Sequence, residues 1–178
     1  MKRTVATWLG LLLLAGCGGA APPEPKTYDL GLDAPAGKLP PARIGAVRAV
    51  APFDEGDMQY RLAYRNPSEI SPYANSRWAA SPAELFRKQL QRASQGDGRC
   101  VLTVELQEFS QVYSAPGAST ARVELRASLS PGALPRQFTV SEDNAGADAI
   151  SGAAALARAA NRAVAEIGAW IAAQPGCR

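Results

Sequence analysis

The sequence predicts a single compact α/β domain, with a mixed sheet of about five to seven strands and two helices. Residues 119–130 alternate strictly between apolar and polar side chains, which is the period of a half-buried strand. Residues 81–84 have the residue order of a helix start. Residues 146–173 are alanine-rich and place apolar side chains at three- and four-residue steps, which is typical of a helix that packs on a core.

The first 16 residues have the order of a bacterial export signal. Lys2 and Arg3 precede an apolar run of about ten residues, which is too short to cross ~30 Å of hydrocarbon as a helix. Residues 14–17 (LAGC) resemble a lipobox, which implies that Cys17 is the first residue of the mature chain and carries acyl chains such as palmitate. A plain signal peptide with an incidental cysteine is the alternative.

Removal of residues 1–16 leaves 162 residues, enough for one domain with a hydrophobic core. Loss of Lys2 and Arg3 leaves 17 basic side chains against 16 acidic ones, without a basic cluster. We therefore expect no nucleic-acid partner. No second apolar run approaches 18 residues, so we expect the lipid to be the sole link to a membrane.

Residues 17–26 are small and proline-rich, and we interpret them as a lipidated flexible tether ahead of a domain at 27–178. Alternating side chains predict a short strand at 27–32. Nearly continuous small apolar residues predict a central strand at 44–51. A turn between two alternating runs predicts a hairpin over 58–78.

The first predicted helix follows that hairpin and covers residues 84–94. Ser81 is a suitable cap, Pro82 suits the first helical position, and Glu84 completes a capping box. Gly96 and Gly98 lie just beyond its end.

Three more strands are predicted at 100–113, 119–130 and 136–142, with a turn at 115–118 between the first two. A long helix at 146–173 completes the domain. Its apolar stripe also suits a coiled coil. However, the stripe covers only three periods and most of its members are alanine, which favours close packing on a sheet.

The cysteine count predicts one disulfide. With Cys17 acylated, Cys100 and Cys177 remain as an even pair in an oxidising compartment, where pairing is the default. The bridge would close a loop of about 78 residues, for which the chain-entropy model gives ~4 kcal/mol of stabilisation. Two free buried thiols are the alternative.

The absence of histidine argues against catalysis. It excludes Ser-His-Asp and Cys-His sites and removes the commonest zinc ligand. No GxGxxG, P-loop or HExxH pattern occurs, so we expect neither enzymatic activity nor a cofactor or metal. The acidic run of Asp54, Glu55 and Asp57 keeps a catalytic interpretation open, but its turn-like context favours a solvated loop.

Several short motifs, taken in order with the lipobox, resemble those of the ABC-type transport auxiliary lipoproteins. They span essentially the whole mature chain: Tyr28-x-Leu30, Met58-x-Tyr60-Arg61, Pro72-Tyr73, Arg77-Trp78-Ala79 with Pro82, Phe109 in a long strand, the turn at 116–118 and a terminal helix with Trp170. Each motif is degenerate, so the resemblance depends on their order and spacing.

The resemblance implies a specific role. Members of this family accompany MCE-type lipid transport systems, in which an ABC transporter and MCE proteins move lipids between two membranes. The lipoprotein lies on the inner leaflet of the outer membrane and contacts the periplasmic MCE protein. The family fold is related to the N-terminal domain of TolB-like proteins, and some members form rings, which leaves a homo-oligomer open. Gly18 after Cys17 implies sorting to the outer membrane.

The motif residues suggest a partner-binding surface that comprises Tyr60, Arg61, Tyr73, Arg77 and Trp78. Amphipathic aromatic side chains and arginines are favoured in interfaces. Alternatively, Tyr60 is a core residue, Arg61 is solvated and Trp78 pins the hairpin to the following helix. The main rival function is an envelope assembly or scaffold lipoprotein that binds another periplasmic or peptidoglycan-associated partner.

Overall fold

The described residues form an α/β domain in which seven strands make one sheet and two α-helices pack on it. The computed structural model describes residues 24–32, 37–132, 134–144 and 146–177. In chain order the elements are β1 (Lys26–Tyr28), β2 (Arg43–Ala49), β3 (Asp57–Leu62), β4 (Ser71–Trp78), α1 (Pro82–Ala93), β5 (Val101–Ala115), β6 (Ala118–Ser130), β7 (Arg136–Asn144), α2 (Ala149–Ala172) and a final 3-10 turn (Pro175–Cys177). The predicted fold class is confirmed.

Strand β5 organises the sheet because it is paired along both edges. One edge pairs antiparallel with β6 along its whole length, and β7 adds antiparallel to β6. The other edge pairs in parallel with β2 near its start and with β3 near its end. The hairpin partner β4 lies antiparallel to β3, and β1 lies parallel to β4. The predicted hairpin at 58–78 is therefore confirmed.

The prediction of a central strand at 44–51 was wrong. Within the part of the chain that the structure describes, β2 pairs with β5 alone, and Val47 is its one buried side chain. The small residues of β2 instead allow it to lie close to β5, since a Cβ added to Gly45 would lie 2.7 Å from Val101 Cγ1. The run of small apolar residues thus marks a tight contact along one edge.

The helices begin at side-chain caps. The Ser81 hydroxyl accepts the Glu84 backbone N–H at 3.4 Å, which is one half of the predicted capping box. The full box occurs at α2, where the Asp148 carboxylate accepts the Ser151 N–H at 2.8 Å and the Ser151 hydroxyl accepts the Asp148 N–H at 3.4 Å. Each helix begins at a short polar side chain that accepts a hydrogen bond from a backbone N–H group, which would otherwise have no partner at a helix N-terminus.

Helix α2 packs closely on the sheet, as its alanine content predicts. Ala155, Ala159 and Ala163 are fully buried, and α2 contacts β5, β6 and β7. The predicted stripe at three- and four-residue steps is largely buried, including Ala160, Val164 and Ile167, and Ile150 at its start is the exception with 55% exposure. The inward face of the sheet supplies alternate residues of β5 and β6, including Leu102, Leu106, Phe109, Val123 and Leu125.

The start of the domain differs slightly from the predicted boundary. Lys26, assigned to the tether, begins β1, and Leu32 lies beyond the strand and is 89% exposed. The signal peptide and Cys17 fall outside the described residues, as does the tether up to residue 23. Among the described helices, neither has the length and hydropathy needed to cross a membrane.

The disulfide between Cys100 and Cys177 is confirmed. It joins the end of the chain to the residue before β5 across 77 positions. We call this end of the sheet, where β5 begins, the disulfide end. The opposite end, where β5 turns into β6 at Pro116 and Gly117, also holds the start of α2.

Replacement of both cysteines by alanine is expected to lower the free energy of unfolding by about 4 kcal/mol, because the unfolded chain regains the entropy of a long loop. Urea unfolding of the mature protein measures this. Reduction of the unmodified protein should give a similar loss, whereas the double variant should not respond to reductant. Equal stability of the oxidised and reduced forms would contradict the assignment.

Candidate functional site

Three tyrosines from neighbouring strands meet at the end of the sheet where α2 begins. Tyr60 lies near the end of β3, Tyr73 near the start of β4 and Tyr113 near the end of β5. The ring centroids of Tyr60 and Tyr73 are 4.7 Å apart, and those of Tyr60 and Tyr113 are 6.2 Å apart in an edge arrangement. The hydroxyl oxygens of Tyr73 and Tyr113 are 2.7 Å apart. We call these three residues the tyrosine cluster.

A hydrogen-bond network runs from this cluster to the start of α2. Tyr73 donates its hydroxyl to Gln111 Oε1 at 2.8 Å, and Gln111 Nε2 donates to the Ser119 hydroxyl at 2.8 Å. Ser119 also accepts from Asn144 Nδ2 at 3.1 Å and donates to the Gly146 carbonyl at 3.2 Å. The network therefore connects β4, β5, β6 and β7 to the segment that leads into α2.

The first turn of α2 lies directly on the network. A Cβ on Gly152 would lie 2.0 Å from Gln111 Oε1, so a larger residue would displace the amide that Tyr73 binds. Glycine within a helix costs about 1 kcal/mol relative to alanine, and here this close approach explains its presence. The sequence pattern of α2 shows the glycine but not its partner.

Burial raises the pKa of Tyr73 far above the usual value of a tyrosine, and burial also raises the pKa of Tyr113. Both hydroxyls are therefore protonated at neutral pH and act as hydrogen-bonding groups. Hydrogen bonds from Ser151 lower the pKa of Asp148 at the cap of α2. In the described ranges, no three acidic or cysteine side chains come together as a metal site would require.

The structure separates the five residues that the sequence groups as a partner surface. Tyr60 and Tyr73 join the cluster, whereas Arg61 extends from the opposite side of β3 and binds Glu108 with two parallel contacts, Nε to Oε1 at 3.0 Å and Nη2 to Oε2 at 2.7 Å. This hydrogen bonding raises the pKa of Arg61. The expectation of a solvated Arg61 was wrong, because its guanidinium group forms a bidentate salt bridge that links β3 to β5.

Trp78 belongs to the core and not to an exposed surface. Its side chain is 1% exposed, and its ring lies 5.5 Å from that of Phe109 in an edge arrangement. The alternative in which this tryptophan pins the hairpin to the helix layer agrees with its burial.

The sequence missed Tyr113 and Gln111 because a bulge after Leu106 shifts the alternation of β5.

The face of the sheet opposite the helices is open and charged. Arg77 and Arg126 are exposed, Arg122 pairs with Glu124, and Arg61 pairs with Glu108. These residues occupy the positions that alternate with the buried ones along each strand. We call this surface the open face.

A groove of about 710 Å³ separates β1 from α2. Residues 27–31 and Ala79 form one wall, and residues of the first half of α2 form the other. Its apolar lining includes Tyr28, Ile150, Ala153, Ala154 and Ala157. The small alanine side chains leave the space open, and the volume falls in the range typical of ligand pockets. We call it the β1–α2 groove.

Comparison with solved structures shows which known fold this is. A crystal structure of a Xanthomonas campestris protein of the family DUF330 matches with a TM-score of 0.64 and 22% identity, over 85% of this chain and 92% of that one. The crystal structure of an uncharacterized protein matches with a TM-score of 0.64 and 15% identity, over 84% of this chain and 99% of that one. At these identities the likeness shows the fold. No family model matches the sequence, and no curated protein matches it.

Replacement of Tyr73 by phenylalanine is expected to lower the free energy of unfolding by about 1–3 kcal/mol, because Gln111 Oε1 loses its donor. Tyrosine in the unfolded chain loses its proton near pH 10, while folded Tyr73 retains it. The contribution is therefore complete below pH 10 and decreases as the pH rises above it.

Urea unfolding between pH 7 and pH 11 measures both effects. The variant should lose stability less steeply above pH 10 than the unmodified protein. The matched control is Tyr64→Phe, since the Tyr64 side chain is 43% exposed. It should change the free energy of unfolding at neutral pH by less than about 0.5 kcal/mol. Equal losses in the two variants would show that the network contributes no specific stability.

Proposed function

We propose that this chain is an auxiliary lipoprotein of an ABC/MCE lipid transport system. In this proposal Cys17 anchors it to the periplasmic face of the outer membrane, and its domain binds the periplasmic MCE protein. The observation that carries the proposal is the combination of a lipobox with a domain that shares the DUF330 fold over most of both chains. We infer that this is the fold of the auxiliary lipoproteins that the motifs resemble.

The surface that suits a protein partner best is the open face. The two helices cover the other side of the sheet, so a partner that docks on the open face meets rigid strands with charges of both signs. Arg77 and Arg126 are exposed there. Charged side chains at the rim of an interface contribute mainly to orientation and to the rate of association.

The described side chains favour binding over catalysis. Tyr73, whose pKa burial raises strongly, is hydrogen-bonded to Tyr113 and to Gln111. Asp54 and Glu55 are exposed in the turn before β3, and Asp57 is exposed at its first residue. A catalytic carboxylate normally occupies a cleft, whereas these side chains lie on the surface.

Capture of partners from periplasmic extracts tests the proposal. The mature lipoprotein should recover an MCE protein encoded in the same genome. The double charge reversal Arg77→Glu with Arg126→Glu should reduce that recovery at least tenfold. Lys88→Glu, an exposed change on α1 in the helix layer, is the matched control and should leave recovery unchanged.

Two results would overturn parts of the proposal. Consistent absence of an MCE protein, with recovery of a peptidoglycan-associated protein, would favour the scaffold lipoprotein. The unmodified protein could recover an MCE protein while the Lys88 variant and the double reversal lose it equally. That result would support the transport role and show that the open face is not the binding surface.

A further inference from the structure

We propose that the β1–α2 groove binds one acyl chain of a phospholipid drawn from the membrane leaflet that holds the lipid anchor. This inference rests on the proposed function only in that it requires the chain to be anchored through Cys17. It adds direct contact with lipid to a role otherwise defined by protein contact.

The direction of β1 indicates the end of the domain from which the chain enters. Strand β1 runs parallel to β4 with Lys26 opposite Ser76, so the residues before Lys26 lead toward the start of β4. The start of β4 lies beside Tyr60, at the end of the sheet where α2 begins. The chain therefore leaves the domain toward the tyrosine cluster and away from the disulfide end.

The distance to the bilayer is short. Glu24, the first residue that the structure describes, is seven positions after Cys17, and an extended chain of seven steps spans at most ~25 Å. The end of the domain that holds the start of α2 is thus kept within reach of the membrane surface. The anchor also keeps the local concentration of phospholipid high throughout the life of the protein.

The groove reaches this end of the domain. Helix α2 begins there, and Ile150 in its first turn lines the groove and is 55% exposed. The apolar wall continues through Ala153 and Ala154 to Ala157, a length of ~10 Å along the helix axis. An exposed isoleucine in an alanine-lined groove offers apolar surface to a chain that enters from the bilayer.

Polar groups define the ends of the apolar stretch. Thr27, the first residue of β1 that lines the groove, is the polar residue on the side of the tether. Arg158 and Asn161 line the far end, and Arg158 donates to the Asp143 carbonyl at 2.9 Å. Asp29, which also lines the groove, accepts the Gly31 N–H at 2.8 Å. The acyl chain would therefore enter tail first and stop before Arg158.

Photo-cross-linking tests this assignment. The full mature lipoprotein is reconstituted in phosphatidylethanolamine and phosphatidylglycerol vesicles that contain a phospholipid with a diazirine in one acyl chain. After irradiation and proteolysis, mass spectrometry should locate the lipid on peptides that cover residues 24–31 and 149–161. Cross-links confined to other parts of the chain would overturn the proposal.

A matched pair of substitutions in α2 identifies the groove. Ala154→Trp should fill it and reduce cross-linking to residues 149–161 at least fivefold. Ala169→Trp, at an exposed alanine of the same helix that does not line the groove, should leave the yield unchanged. Both variants should unfold at the same urea concentration as the unmodified protein. Equal yields in both variants would show that the lipid does not occupy this groove.

The same variants separate this inference from the proposed function. If Ala154→Trp abolishes capture of the MCE protein and leaves lipid cross-linking unchanged, the groove holds a protein segment and the lipid assignment is wrong. If lipid cross-linking depends on the groove while no MCE protein is captured, the groove binds lipid and the transport role fails.

Discussion

The pairing of β5 along both of its edges is the constraint on which the rest of the structure depends. Its first half holds β2 and the disulfide, and its second half holds the hairpin of β3 and β4 together with the tyrosine cluster. Because β6 covers the other edge completely, α2 must pack across the inward face of this pair. The two ends of β5 thus differ, since one holds the disulfide and the other holds the tyrosine cluster.

Much of this arrangement could be predicted from local pattern. The strict alternation at 119–130, the cap at Ser81 and the count of cysteines depend on short-range chemistry, and each corresponds to an observed element or bond. The partner surface could not be predicted in the same way. Whether Arg61 meets solvent or Glu108 depends on a neighbour 47 positions away, and Trp78 is buried by packing against Phe109.

Two local irregularities explain the remaining errors. Small residues in β2 indicate burial on both sides in a parallel sheet, but Gly45 is small because β5 approaches closely. The bulge in β5 brings Phe109, Gln111 and Tyr113 to the inward face, out of step with Leu102 and Leu106. The alternation of apolar and polar side chains along the sequence does not show where a bulge inserts an extra residue. The tyrosine cluster is therefore visible only in the three-dimensional structure.

The proposed anchoring through Cys17 implies a fixed orientation of the domain, with the start of α2 toward the membrane and the disulfide end away from it. Fluorescence quenching by head-group-labelled lipids tests it most directly, with a fluorescent amino acid placed at exposed position 116 or at exposed position 97 of the vesicle-bound lipoprotein. Position 116 lies at the turn between β5 and β6, and position 97 lies at the disulfide end. Quenching should be markedly stronger at position 116. Equal quenching at both positions, or stronger quenching at position 97, would contradict it.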